Sequence, residues 1–127
     1  MGTGQGTEMK RLMIADSSDV VRKVAHKILS ELGYTVSEAS TAREALVTCD
    51  AQLPDVIIVD SGIDGALDLI TNIRSMPGGA EIRIFYCVIE ADLKTMMRGK
   101  RAGASDFLLK PFDRQILTKI FDQRAAA

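Results

Sequence analysis

Apolar residues follow two alternating rhythms along this chain. From Val20 to Leu32 they fall at positions 20, 21, 24, 25, 28, 29 and 32. That is the spacing of one helix face, and Gly33 supplies its stop. Before it, RLMIAD (11–16) is a short apolar run that ends in an acid. YTVSEA (34–39) alternates and reads as a strand. TARE (41–44) has the spacing of a capping box and opens a helix that runs to about residue 50. LPD then breaks the chain before VIIVDSG (56–62), where four β-branched apolar residues run straight into Asp60. A helix over about 66–75, a PGG turn (77–79) and the apolar run IRIFYCVI (82–89) come next. A helix over about 92–101 stops at Gly103, DFLL (106–109) reads as a strand, and a last helix follows KPFD from about 114 to 123.

Five strands thus alternate with five helices. Continuous apolar strands separated by helices predict a parallel sheet covered on both faces, and right-handed crossovers leave few topologies. No internal repeat and no second domain is visible. The Gly-rich, polar residues 1–9 read as a disordered tail, 10–124 as the domain, and 125–127 as a frayed end.

Composition adds mainly exclusions. The 127 residues carry 16 basic and 17 acidic side chains, for a net charge of −1. That balance gives no global field for nucleic acid. No apolar run approaches a membrane span and no signal peptide is visible, so a cytoplasmic location is expected. Cys49 and Cys87 form no C-x-x-C pattern and are expected to be buried, reduced thiols. Gly2, Gly4 and Gly6 precede the first strand, the wrong context for a dinucleotide loop, and no P-loop, G-x-S-x-G or H-E-x-x-H is present. His26, the only histidine, reads as a surface or half-buried structural residue.

The chemistry sits at strand ends. Open parallel sheets form sites beyond the carboxyl ends of their strands. Asp16 ends the first strand, Asp60 the third, and Lys110 the fifth. If the first and third strands are neighbours, two carboxylates converge near an ammonium. An aspartate after a strand is equally a turn or helix-cap residue, but three charged residues at three strand ends make a coincidence harder to accept. Two carboxylates suit Mg²⁺, which takes few protein ligands and keeps several waters. A carboxylate beside a cation and an ammonium can attack an activated phosphoryl group and form an aspartyl phosphate.

Residues 11–123 resemble the receiver domain of bacterial two-component response regulators. The stretches that carry the likeness are LMIADSSDVVRKVAHKILSELGY, TAREAL, PDVIIVDSGIDG and, most specifically, RAGASDFLLKPF. The resemblance implies a flavodoxin-like (βα)5 three-layer sandwich with strand order 2-1-3-4-5. It implies Asp60 as phosphoacceptor, Lys110 as the phosphate-contacting lysine, a cis Lys110–Pro111 bond, and Mg²⁺ held by Asp16 through water, by Asp60 directly and by the Gly62 carbonyl.

Three departures from the family pattern stand out. Receivers carry two adjacent acids after the first strand; here Ser17 follows Asp16, a neutral ligand at best, so Mg²⁺ affinity should fall. The Ser or Thr that ends the fourth strand is replaced by Val88, which cannot donate to a phosphoryl group. The loop after Asp60 looks shortened by about three residues. Phe107 matches the switch aromatic but, as a phenylalanine, cannot hydrogen-bond. These changes mark a degenerate site.

Lys94, Arg98 and Arg101 share one face of the fourth helix. They are read as a solvated face or as a ligand or partner surface, arginine being suited to phosphate groups. The expected function is a single-domain receiver in phosphorelay signalling, a phosphoprotein rather than an enzyme. It would accept a phosphoryl group from a histidine kinase or phosphotransfer protein onto Asp60 and act on a downstream protein partner, with no DNA contact. The rival is a phosphorylation-independent pseudo-receiver that works as an interaction module or binds an anionic ligand such as a cyclic dinucleotide.

Overall fold

A computed structural model of the chain describes residues 9–123. The expected tails therefore lie largely outside the described residues, as do Gly2, Gly4 and Gly6. Five parallel strands, β1 (Arg11–Ala15), β2 (Thr35–Ala39), β3 (Val56–Asp60), β4 (Arg83–Val88) and β5 (Asp106–Leu109), form one sheet in the order 2-1-3-4-5. Helices α1 (Asp19–Glu31), α2 (Ala42–Ala51), α3 (Ala66–Ser75), α4 (Leu93–Ala102) and α5 (Arg114–Phe121) alternate with them. This is the flavodoxin-like three-layer sandwich.

Strand alternation sorts the core into two halves. Leu12, Ile14, Val56, Ile58, Phe85, Cys87 and Leu108 pack with Ala25, Ile28 and Leu29 of α1 and Leu117 and Phe121 of α5. Met13, Ala15, Ile57, Val59, Ile84, Tyr86 and Val88 pack on the other face against α2 and α3. Both cysteines are buried and unpaired. Side chains of Ser18, Thr41, Asp92 and Asp113 cap α1, α2, α4 and α5 by accepting from backbone N–H groups of the first turns.

Element boundaries differ from the sequence reading in several places; β1 stops at Ala15, before Asp16, and β4 covers only Arg83–Val88 of the apolar run 82–89. β2 begins at Thr35, because Tyr34 turns inward and donates its hydroxyl to the Phe121 carbonyl at 2.9 Å. The PGG segment continues into a short 3-10 turn over Gly79–Glu81. α5 ends at Phe121, two residues early.

Candidate functional site

The first and third strands are neighbours, with Ala15 opposite Val59, so Asp16 and Asp60 do emerge side by side at the carboxyl edge. Asp16 is fixed by its backbone as much as by its side chain. Its N–H donates to the Ala39 carbonyl at 3.0 Å, and its Oδ1 accepts from the Ser18 N–H at 2.8 Å. The turn role and the crevice role therefore coexist in one residue. Asp60 is the last residue of β3 and stands opposite Cys87 of β4. Lys110 follows β5, its N–H held by the Val88 carbonyl at 2.8 Å, and the Lys110–Pro111 bond is cis.

The three charges meet. Lys110 Nζ lies 2.7 Å from Asp16 Oδ2 and 3.0 Å from Asp60 Oδ1. Both carboxylates are buried, at 2% and 7% exposure. Burial disfavours the Lys110 ammonium, but its bonds to Asp16 and Asp60 outweigh that and raise its pKa above the ordinary lysine value. The crevice thus holds two carboxylates and one ammonium.

Among the described residues no group of three or more His, Cys, Asp or Glu side chains could hold a metal ion. A smaller donor set is present. Asp60 Oδ2 receives no hydrogen bond from a described residue, and a Cβ added at Gly62 would stand 3.1 Å from that oxygen. Glycine therefore keeps the approach to Oδ2 open. Ser17 is exposed and lines a shallow cleft together with Gly62 and Asp64. This arrangement fits a hard cation that keeps most of its waters. Asp60 and Asp16 are the carboxylates that could hold Mg²⁺ here, with Gly62 beside them and Ser17 as a neutral neighbour.

Val88 is buried at 1% exposure, so no hydroxyl stands at that strand end. Phe107 is half-buried and meets the Tyr86 ring edge-on. Lys94, Arg98 and Arg101 are exposed on α4 and form no hydrogen bond or ion pair with a described residue.

Sequence reading missed the support of Asp16. Arg22, only 8% exposed, donates from Nη1 to the Asp16 carbonyl at 2.7 Å and from Nε to Glu38 at 3.2 Å, and pairs with Asp19. Glu38 also takes Lys23 and His26. The spacing 22-23-26 was visible on the helix, but its β2 partner was not. Also missed was an apolar groove of about 450 Å³ beside Lys110, lined by Val20, Val21, Val24, Ile89, Pro111 and Phe112.

Comparison with known proteins decides the family. The Response regulator receiver domain family matches residues 12–122. The chain belongs to that family. A similar relative is chemotaxis protein CheY1 of Helicobacter pylori, 32% identical, over 84% of this chain and 90% of the relative. Chemotaxis protein CheY of Thermotoga maritima is 29% identical, over 81% of this chain and 87% of that protein. Two-component response regulator PhoP of Pseudomonas aeruginosa is 29% identical over 80% of this chain, which spans only 45% of that protein. The receiver fold matches the structure of Vibrio cholerae chemotaxis response regulator CheY4 with a TM-score of 0.85 at 27% identity, covering 89% of this chain and 96% of that one. As a receiver domain, the chain is a two-component signalling protein. No helix among the described residues is long and apolar enough to cross a membrane.

Proposed function

We propose that this receiver accepts a phosphoryl group on Asp60 from a histidine kinase or phosphotransfer protein and signals by a change in protein binding. The observation that carries this reading is the contact of one ammonium, Lys110, with two buried carboxylates at a single sheet edge. In the proposed step, Asp60 Oδ2 attacks phosphorus. The new P–O bond forms as the P–N bond to the donor imidazole breaks, and that nitrogen keeps the electron pair and takes a proton. Lys110 leaves its carboxylate partners to pair with the transferred group's oxygens. Mg²⁺, when bound, supplies charge neutralisation at those oxygens. The apolar groove beside Lys110 gives a protein donor a surface to rest on. The downstream partner reads α4, β5 and α5, and the chain turns over no metabolite.

Acetyl phosphate with Mg²⁺ tests this. Intact mass should rise by one phosphoryl group in the wild type and not in Asp60→Asn. An unchanged wild-type mass defeats the proposal.

A second reading is favoured by one observation. α4 carries Lys94, Arg98, Lys100 and Arg101 and no acid between Leu93 and Ala102, and among the described residues none of those cations forms a salt bridge, whereas Arg22, Arg83 and Arg114 all have carboxylate partners. A phosphorylation-independent module that binds an anionic ligand such as a cyclic dinucleotide would use that face. Isothermal titration with cyclic dinucleotides separates the two, and heat that persists in Asp60→Asn supports the second.

A further inference from the structure

β4 sends Tyr86 and Val88 to the same face of the sheet. Tyr86 is buried, and its ring meets Phe107 at a centroid distance of 6.4 Å and an angle of 69°. Over this pair sits Gly99, the buried residue of α4. A Cβ at Gly99 would lie 2.6 Å from Tyr86 Cδ2 and 3.0 Å from Phe107 Cε1. Glycine is a poor helix former, and here it lets the helix backbone rest directly on the rings. Tyr86 also lines a cleft with Ser61, Gly62, Ile63 and Asp64, the residues that follow Asp60. Its hydroxyl makes no hydrogen bond with a described residue and is not wholly buried. One side chain therefore touches α4 and faces the loop next to the phosphoacceptor. Val88, two residues further along the strand, offers only methyl groups.

We propose that Tyr86 is a positioning residue that couples the crevice at Asp60 to α4, its ring carrying displacement of the β3–α3 loop to the helix through the contact at Gly99. This deepens the phosphoacceptor reading and rests on it for the identity of the signal, although the coupling itself belongs to the packed ring. Tyr86, rather than a hydroxyl at position 88, is then the element that makes α4 responsive.

A double-mutant cycle read by backbone amide shifts tests the coupling without phosphorylation. Asp60→Asn changes the crevice charge whether or not the aspartate accepts phosphate. In the wild-type background it should shift the amides of both 61–64 and 96–101. In a Tyr86→Leu background the loop shifts should persist, while those of α4 fall roughly threefold or more. Tyr86→Phe, which keeps the ring, should retain the α4 response. Gly99→Ala disturbs the same contact from the helix side and should weaken it, and it decides the matter if Tyr86→Leu does not fold. An α4 response equally large in Tyr86→Leu and Gly99→Ala, or absent in the wild-type background, overturns the proposal. Mass change with acetyl phosphate in the wild type reports separately on the phosphoacceptor reading.

Discussion

Lys110 Nζ stands 2.7 Å from Asp16 Oδ2, closer than the 3.0 Å that separates it from Asp60 Oδ1. The lysine thus serves first as the internal counter-ion of two buried acids. Any cation or phosphoryl group entering the crevice has to share or replace it.

Removing that counter-ion should expose the competition. Lys110→Met leaves two buried carboxylates without their ammonium. Breaking a buried pair costs about 3–5 kcal/mol. Lys110 keeps some solvent contact, with a side-chain exposure of 19%, which lowers the expected loss to about 1–3 kcal/mol. Added Mg²⁺ should recover more stability in the variant than in the wild type, because the freed carboxylates welcome a cation. Thermal melts with EDTA and with Mg²⁺ measure both effects. Equal Mg²⁺ response in the two proteins counts against the competition.

Ser17→Asp supplies a second acid at the rim shared with Gly62. Mg²⁺ should bind about tenfold tighter or better, the equivalent of about 1.4 kcal/mol. The metal-free protein should lose stability from the added negative charge. A metal titration followed by amide shifts, paired with a melt in EDTA, checks the two signs together. An unchanged midpoint would place Ser17 outside the metal's reach.

Glu38 gives a pH dependence. Burial alone would raise its pKa, but bonds from Lys23, His26 and Arg22 outweigh that and hold it below the ordinary value of 4.5. A depressed carboxyl contributes stability above its unfolded pKa and loses that contribution as pH falls through the folded one. Wild-type stability should therefore drop below about pH 4.5 more steeply than that of Glu38→Gln. The variant itself should be weaker near neutrality by about 1–2 kcal/mol. Urea unfolding between acid and neutral pH reads both, and parallel curves for the two proteins would remove Glu38 from the account.

Arg22→Met tests the support of Asp16 from the backbone side. The loss of charged hydrogen bonds to the Asp16 carbonyl and Glu38 should cost about 2–4 kcal/mol. The Asp16 and Ser18 amides should shift as the turn relaxes. Shifts confined to α1 would show that the guanidinium only caps the helix.

Local pattern was enough to place the five strands and five helices: β1, β3 and β4 are apolar runs buried on both faces, the half-exposed β2 alternates, α1 shows a clear stripe, and α2 opens on a capping box. Asp16, Asp60 and Lys110 were legible for a related reason: parallel topology sends all strand ends to one edge. Tyr34 was read as strand because its alternation with Val36 is local, whereas its hydroxyl's partner, Phe121, is 87 residues away. Arg22 was passed over, since nothing local reveals that Glu38 of β2 lies against it. Gly99 gave no signal at all: a lone glycine in a helix reads as a weak spot, and only the rings beneath it explain its presence.

The hydrogen bond from Tyr34 to Phe121 ties the far end of α5 to the amino edge of the sheet. β2 spans five residues, about 17 Å along the strand, so that edge and the acidic crevice face opposite ways. A reporter or surface tether joined behind α5 would hang from the molecule's back, leaving the charged rim free to meet other proteins.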